Sequence, residues 1–241
     1  LSVIVIDNAS VDNTISSIHS QFPIVQVLAL DKNYGYSGGY NLAFKHLSSS
    51  KTEYVMLLNN DTIVDIECIS AFLLQMSKNE KQILGPKIYY MDSPQKIWYA
   101  GGKIDLMFGN LSHRGIRQKD THQFNVIMET DYVSGCCLFT HFSTINKLHG
   151  FDEDLNMYAE DVDLCLRAKS IGINCIYVPN ANVWHKVSAS IGGEKSFRKL
   201  KQKSNSVLKL INKHYPNYVK YIGYPLYLIR QVINGIKILF I

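Results

Sequence analysis

The chain has 241 residues, of which 46% are hydrophobic and 19% charged, with 15 Gly and 6 Pro. This composition excludes a disordered chain, a collagen-like repeat and a coiled coil, and the length supports one sizeable core or at most two small domains. The net charge of +5 is uneven, because residues 195–241 hold ten Lys and Arg and no Asp or Glu. An acidic body with a basic tail, without a recognition-helix motif or an aromatic RNA platform, argues against a nucleic-acid binder.

The first part of the chain alternates between strand-like apolar runs and segments of helical period. Strands are predicted at 1–6, 24–30, 54–58 and 83–90, and helices after Ser10 and at 38–47 and 65–76. Such alternation predicts an α/β layer with a parallel central sheet. Because the first strand begins at Leu1 without Met or a leading turn, we expect the natural start of the protein to lie upstream.

Residues 98–130 are less regular and contain several glycines, which predicts loops and short strands. The remaining predicted elements are strands at 132–140, 176–178 and 183–184 and a helix at 160–170. Gly172 is the expected stop of that helix. We therefore predict one α/β domain at 1–195 followed by a helical tail at 196–241.

The five cysteines are odd in number, and none belongs to a C-x-x-C pair. This pattern argues against a zinc ribbon, a thioredoxin-like site and a disulfide scaffold. It is typical of proteins in a reducing compartment, so we predict a cytoplasmic location.

Polar clusters follow the predicted strands, where ligands bind in open parallel sheets. The cluster at 7–10 is either a strand-to-helix turn or a site in which the Asp7 carboxylate accepts hydrogen bonds from a base or a ribose. The cluster at 33–41 contains Gly35 and Gly38 but no G-x-G-x-x-G fingerprint, which argues against a dinucleotide-dependent oxidoreductase. A flexible loop and a phosphate-binding loop remain equal alternatives.

Two further clusters carry carboxylates. Asp61 follows the strand at 54–58, where it could hold a divalent cation against a diphosphate or belong to an ordinary turn. Acidic residues also crowd the segment 152–163. The helix macrodipole accounts for Glu160 and Asp161 at a helix start, but less well for the acids before them, so a general base is the functional alternative.

Taken together, these clusters resemble the glycosyltransferases of family 2, which have the GT-A fold. The matching segments, in the family's order and spacing, are VIDNASVDNT, NYGYSGGYN, LLNNDT, GFDEDLNMYAEDVDLCLRAKSIG and VPNANVWH. The resemblance covers residues 1–190 and is strongest to the rhamnosyltransferase-like bacterial branch. It implies a Rossmann-like, mostly parallel central sheet flanked by helices.

The resemblance also implies roles for individual residues. Asp161 matches the catalytic base and Glu160 an acid that positions the acceptor, while Asp61 and His185 match a site for Mg²⁺ or Mn²⁺. The residues implied in nucleotide binding are Asp7, Asn8, Ser10, Asn33, Gly35, Gly38, Asn41, Asn59 and Asn60. Those implied in the pocket for the donor sugar or the acceptor are Ser134, Gly135 and Trp184.

The implied activity is that of an inverting, metal-dependent hexosyltransferase. It would move a sugar from a nucleoside-diphosphate donor (dTDP-rhamnose or a UDP-sugar) to a glycan or polyprenyl-linked acceptor in cell-surface polysaccharide synthesis. Asn59 stands where the family has the first acid of a D-x-D site, which should weaken metal binding and increase reliance on His185. The family also normally has a further strand and helix before the strand at 1–6. A non-catalytic nucleotide-sugar or glycan-binding relative is the alternative, and the presence of Asp61 and Asp161 argues against it.

The tail at 196–241 is basic and apolar but is interrupted by Pro225 and Arg230. These interruptions argue against a spanning helix, which needs about twenty apolar residues. One alternative is an amphipathic helix on the anionic cytoplasmic face of the inner membrane, which would suit a polyprenyl-linked acceptor. The other is a segment that covers the domain's own core.

Overall fold

The computed structural model of the chain describes residues 1–105, 110–155, 157–187, 197–217, 220–221, 223–229 and 231. Its helices are α1 Thr14–Gln21, α2 Gly35–Leu47, α3 Cys68–Met76, α4 Phe142–Lys147, α5 Glu160–Ser170 and α6 Phe197–His214. Its strands are β1 Ile4–Asp7, β2 Gln26–Ala29, β3 Tyr54–Leu58, β4 Thr62–Val64, β5 Gln82–Tyr90, β6 Ser93–Tyr99, β7 Gly102–Asp105, β8 Asn110–His113, β9 Met128–Glu129, β10 Cys137–His141 and β11 Asn174–His185.

The central sheet of the described residues has the strand order β3-β10-β5-β11-β4, with β6 paired to β5 and β9 to β11. β11 is parallel to β5, whereas β10 lies antiparallel between β3 and β5. The expectation of a mostly parallel sheet is therefore corrected to a mixed sheet in which β3, β5 and β11 share one direction. β10 can enter the sheet directly from the irregular region before it, because an antiparallel neighbour needs no crossover helix.

Two local expectations are corrected as well. Helix α1 begins at Thr14 rather than beside Ser10, because the Ser10 amide donates to Asp7 Oδ2 at 3.1 Å and closes a turn. The short strands expected at 176–178 and 183–184 are parts of β11, whose pairing with β5 shifts between Val178 and Asn182. Such an irregularity accommodates Pro179, which cannot donate to a ladder.

The main core lies where β5 and β11 meet the helices. Residues 82–88 of β5 are all buried, and Leu84 and Ile88 have no exposed surface. Helix α5 contributes Leu164 and Cys165, both fully buried, to the same core. This packing fixes α5 against the central sheet, so that the helix begins near the carboxyl ends of the strands.

Helix α6 packs on the domain. Its Leu210 belongs to the main core, while a smaller cluster is formed by Val207, Ile211, Tyr215 and Tyr227. This part of the tail covers the domain's own core, as one of the two alternatives proposed. The membrane-surface alternative stays a prediction, and residues 232–241 lie outside the described residues. In the described part of the chain, every helix is too short or too polar to cross a bilayer.

Candidate active site

Strand pairing brings Asp61 and His185 together. Asp61 directly precedes β4, which pairs antiparallel with the end of β11 so that His185 lies opposite Thr62. His185 Nε2 is 3.1 Å from Asp61 Oδ1, and the Lys186 amide donates to the Asp61 carbonyl oxygen at 2.9 Å. A carboxylate and a buried imidazole therefore face each other at the carboxyl ends of β3 and β11.

An aromatic wall borders this pair. The Trp98 ring on β6 meets His185 edge-on, with ring centroids 4.8 Å apart, and meets His113 on β8 at 4.4 Å. Burial, followed by the charge of Lys203, lowers the pKa of His113 to about 4, so this imidazole is neutral at pH 7. Sequence reasoning missed Trp98, because it lies in the irregular region and its residue type was the only signal.

The acidic pair Glu160–Asp161 forms the first turn of α5. The backbone enters this helix through Tyr158 at φ 68° and Ala159 at φ 143°, a conformation that side-chain-bearing residues rarely adopt. Asp161 Oδ2 accepts a 2.9 Å hydrogen bond from the Gly135 amide, and its Oδ1 accepts one of 2.8 Å from the Val162 amide. The Asp161 carboxylate is thus held by backbone donors on both oxygens.

Burial raises the pKa values of both acids. Burial and the neighbouring Asp161 charge raise the pKa of Glu160 to about 8, and this side chain is only 7% exposed. Burial also raises the pKa of Asp161, while the amides of Gly135 and Val162 oppose the rise. Glu160 accepts one such bond, from the Ala159 amide at 3.0 Å, whereas Asp161 accepts two. Because donors aimed at a carboxylate favour its ionised form, Asp161 is the better base of the pair.

The loop before β10 connects the two halves of the site. The Tyr36 hydroxyl donates to the Gly135 carbonyl oxygen at 2.6 Å, which ties α2 to this loop. Next to it, burial raises the pKa of the Cys136 thiol well above its usual range, and the charges of Asp61 and Asp161 raise it further. The Asn59 amide, two residues before Asp61, donates to the Cys136 carbonyl oxygen at 2.9 Å, so the loop that binds Asp161 through Gly135 also contacts the Asp61 segment. We call the region around these contacts the cleft.

The side chains of Asp7 and Asn8, which are expected to bind nucleotide, make hydrogen bonds to nearby backbone groups. Asp7 is 4% exposed and accepts from the Ser10 amide. Asn8 bridges to the start of α2, because it accepts from the Tyr34 amide and donates to the Gly35 carbonyl oxygen, both at 2.8 Å. These side chains are brought together at the carboxyl ends of β1 and β2.

Residues in and next to helix α2 that were predicted to bind nucleotide make contacts within the protein. Asn33 Oδ1 accepts from the Gly35 amide at 2.8 Å, and a Cβ at Gly38 would lie 2.9 Å from Tyr34 Cβ. Asn41 donates to the Phe151 carbonyl oxygen at 2.9 Å and accepts from the Phe151 amide at 2.8 Å. Asn33 and Asn41 thus shape the loop by hydrogen bonds within the protein.

Of the other predicted site residues, some lie at the cleft and one does not. The Asn59 amide donates to the Cys136 carbonyl oxygen at 2.9 Å, beside the exposed Asn60. The buried Ser134 accepts from the Cys136 amide at 3.3 Å. Trp184 is not brought to the cleft, because adjacent residues of a strand point to opposite faces and its ring stacks on Tyr89 with centroids 5.8 Å apart.

The comparison with protein families decides the classification. The model of glycosyl transferase family 2 matches residues 1–148, more than half of the chain. The chain belongs to glycosyl transferase family 2. This confirms the resemblance found in the motifs, and the chain is accordingly a glycosyltransferase-family protein with rhamnosyltransferase relatives.

Curated relatives are similar at low identity. An uncharacterised protein, y4gI, of Sinorhizobium fredii is 27% identical over 80% of this chain, which spans only 22% of that protein. The N-acetylglucosaminyl-diphospho-decaprenol L-rhamnosyltransferase of Mycobacterium tuberculosis is 25% identical, over 89% of this chain and 76% of its own length. The rhamnosyltransferase WbbL of Escherichia coli is 22% identical, over 63% of this chain and 61% of its own length.

Solved structures confirm the predicted GT-A fold. GalNAc-T7 with UDP, GalNAc and Mn²⁺ superposes with a TM-score of 0.63 at 14% identity, covering 86% of this chain and 41% of that one. The mannosyltransferase PcManGT of Pyrobaculum calidifontis with GDP-Man and Mn²⁺ superposes with a TM-score of 0.62 at 15% identity, covering 99% and 65%. At these identities the likeness establishes the fold, a mixed α/β arrangement with a central sheet and helices.

The residues near Asp61 determine whether a divalent cation fits there. Within the ranges that the structure describes, His, Cys, Asp and Glu form no group of three or more that could hold a metal ion. Asp61 and His185 still offer a carboxylate oxygen and an imidazole nitrogen side by side, donors that suit Mn²⁺. The pair therefore supplies donor atoms of the kind that such an ion binds.

Proposed function

We propose that this chain is an inverting glycosyltransferase that moves a sugar from a nucleoside-diphosphate donor to a hydroxyl of a glycan or lipid-linked glycan. The observation that carries the proposal is the half-buried Asp161 carboxylate at the start of α5, which accepts from the Gly135 amide. The next loop residue, Cys136, accepts from the Asn59 amide and so joins Asp161 to the segment that holds the Asp61–His185 pair. A half-buried base near a pair of side chains suited to a cation is a combination that can activate an acceptor hydroxyl and stabilise a departing diphosphate.

Asp161 serves as the general base. Its carboxylate accepts the proton of the acceptor hydroxyl, and the acceptor oxygen forms a bond to the anomeric carbon from the face opposite the leaving group. The bond between the anomeric carbon and the diphosphate oxygen breaks, and the diphosphate leaves with the electron pair. A single displacement of this kind inverts the anomeric configuration. We assign Glu160, whose pKa is raised by burial, the role of holding the acceptor.

Asp61 and His185 would hold a Mg²⁺ or Mn²⁺ ion. When bound, such an ion neutralises the charge that develops on the departing diphosphate. The imidazole nitrogen of His185 favours Mn²⁺ over Mg²⁺, which prefers oxygen ligands. Asn59 in place of an acid leaves Asp61 as the carboxylate ligand of this segment.

The donor and acceptor are proposed from the relatives. The Mycobacterium tuberculosis and Escherichia coli relatives are named as rhamnosyltransferases, which supports dTDP-rhamnose as the donor, with UDP-sugars as the second choice. The name of the mycobacterial relative specifies a decaprenol-linked acceptor, which supports a polyprenyl-linked acceptor here. We propose that the chain would meet such an acceptor at the cytoplasmic face of the inner membrane. Asp7 and the 7–10 turn would contact the nucleotide.

The test is transfer measured with each donor, Mn²⁺ and a polyprenyl-diphosphate-linked N-acetylglucosamine acceptor. NMR of the product gives the anomeric configuration, which should be inverted. The variant Asp161→Asn should lower kcat by about 10²–10⁴-fold, the usual contribution of a general base. Asp154→Asn, an exposed acid of the same segment, is the matched control and should retain turnover within about twofold.

Two results would reject the assignment in different ways. Near-normal turnover by Asp161→Asn would exclude this carboxylate as the base. A wild-type protein that binds nucleotide but transfers no sugar to any acceptor would favour the alternative, a non-catalytic nucleotide-sugar-binding relative.

A further inference from the structure

Helix α6 contacts the acidic segment through one face. Ser206 donates to the Met157 carbonyl oxygen at 2.6 Å, and Lys209 Nζ donates to the Asp154 carbonyl oxygen at 2.7 Å. One or two turns later, Lys213 and His214 reach the carboxylates of the same segment. Residues three and four apart are neighbours on a helix. We name this face the anchor stripe; its members are Ser206, Lys209, Lys213 and His214.

The anchor stripe ends on a buried carboxylate. Asp163 in the first turn of α5 has no exposed surface. Its Oδ1 accepts from His214 Nε2 at 2.7 Å and lies 2.9 Å from Lys213 Nζ, while its Oδ2 accepts from Arg167 Nε at 2.7 Å. Burial alone would raise the pKa of Asp163, but these donors and the charge of Arg167 hold it well below its usual range. The carboxylate is therefore charged and fully paired.

The stripe encloses a strained turn. Tyr158 and Ala159, both at positive φ, lie between the Met157 contact and the Asp163 contact. A backbone of this kind persists only when its surroundings hold it in place, at a cost of order 1–3 kcal/mol per residue. Asp161 lies two residues after Ala159, and α6 adds the charge of Lys203, which opposes the rise in the pKa of Asp161.

We propose that α6 is a positioning element of the active site, which holds the turn at 158–159 so that the Asp161 carboxylate keeps its hydrogen bond to the Gly135 amide. This inference rests on the proposed function for its kinetic consequence. It assigns the basic tail a role in the transfer reaction beyond covering the core. The members of the anchor stripe are positioning residues, because they act through the turn and through Asp163.

The test uses the full chain with His214→Ala, Ser206→Ala and the double variant. We expect the double variant to lower kcat between about tenfold and 10²-fold with KM for the donor within about twofold, since small misplacement of a reacting group reduces the rate far more than binding. His214→Gln, whose Nε2 can donate to Asp163, should restore most of the rate lost in His214→Ala. Lys201→Ala, an exposed side chain on the same helix, is the matched control and should behave as wild type.

Amide hydrogen exchange supplies a readout that needs no turnover. The Gly135 amide should exchange faster in the double variant, while the amides of β5 keep their protection. Unchanged exchange at Gly135, or an equal increase in β5, would overturn the proposal, because the first would mean that α6 does not hold Asp161 and the second would mean general destabilisation. If the wild type transfers no sugar, the proposed function fails by itself, and the exchange result still decides whether α6 positions the pair.

Discussion

The Gly135 amide donates a 2.9 Å hydrogen bond to Asp161 Oδ2 and thereby joins the loop before β10 to the first turn of α5. The carbonyl oxygen of the same glycine accepts from the Tyr36 hydroxyl of α2 at 2.6 Å. One residue without a side chain thus connects three elements around the proposed base. An amide aimed at a carboxylate favours its ionised form, which a general base requires.

Gly135→Ala should impair this connection. A Cβ at this position would lie 2.7 Å from the Tyr36 hydroxyl oxygen, so Tyr36 must move and its hydrogen bond is lost. We expect a destabilisation of about 1–3 kcal/mol, typical of overpacking, together with a fall in kcat. Gly172→Ala is the control, because a Cβ there meets nothing within 4 Å although φ is +75°. It should cost about 1 kcal/mol and leave kcat unchanged. Normal turnover by Gly135→Ala would contradict the role of this contact.

Thermal unfolding with UDP, dTDP or GDP tests the Asp61–His185 pair. A nucleotide at about 100 times its Kd adds about 2.7 kcal/mol of stability, which raises Tm. We expect one nucleotide to raise Tm with Mn²⁺ and to lose this effect with EDTA. Asp61→Asn and His185→Gln should each abolish the Mn²⁺-dependent part, whereas Asp92→Asn, an exposed acid of a turn, should keep it. An unchanged shift in both site variants would exclude this pair as the cation site.

The pH dependence of stability should report the burial of Glu160. Its pKa is raised to about 8 in the folded protein, from the usual value of 4.5 for a glutamate side chain. Its contribution to stability is therefore fully present at low pH and is lost as the pH rises towards 8. Glu160→Gln does not titrate, so its Tm relative to wild type should increase between pH 5 and about pH 8. The raised pKa of Asp161 acts in the same direction. A Tm difference that does not change with pH would show that Glu160 is ionised throughout.

Two tryptophans provide a matched comparison. Trp98 packs edge-on against His185, whereas Trp184 stacks on Tyr89 on the other face of β11. Trp98→Ala should weaken the Mn²⁺-dependent nucleotide shift, because His185 loses the ring that orients it. Trp184→Ala should lower Tm and preserve the shift. If both variants lost the shift equally, Trp184 would contribute to the pocket, as the motif resemblance implies.

A buried ion pair away from the cleft predicts a stability effect alone. Lys87 Nζ lies 2.9 Å from Asp120 Oδ2, and the Tyr89 hydroxyl donates to the same oxygen at 2.7 Å. Lys87→Met should cost about 3–5 kcal/mol in urea unfolding, because it leaves the largely buried Asp120 carboxylate without its cation. Adding Asp120→Asn should recover part of this loss. Strictly additive costs would show that the two charges are not coupled.

Secondary-structure elements that depend on local patterns were predictable from the amino-acid sequence. The strand at 54–58 and the helix at 160–170 were predicted with the bounds observed, because an apolar run and an acid-led helical period are readable within one segment. The motifs also indicated the family, which the match over residues 1–148 confirms. The placement of Asp61 directly after a strand followed from the same local reasoning.

The contacts between side chains of the site depend on long-range packing. The contact of Asp61 with His185 depends on the pairing of β4 with β11, and the contact of Asp161 with Gly135 depends on how α5 packs beside β10. The face of β11 on which Trp184 lies depends on strand register, since a shift of one residue exchanges the two faces. The antiparallel pairing of β10 with β5 and the contact of His214 with Asp163 also join residues that are distant in the sequence. Periodicity describes one element at a time, whereas these contacts arise from the packing of distant elements, and this is why the site's geometry was not readable from the sequence.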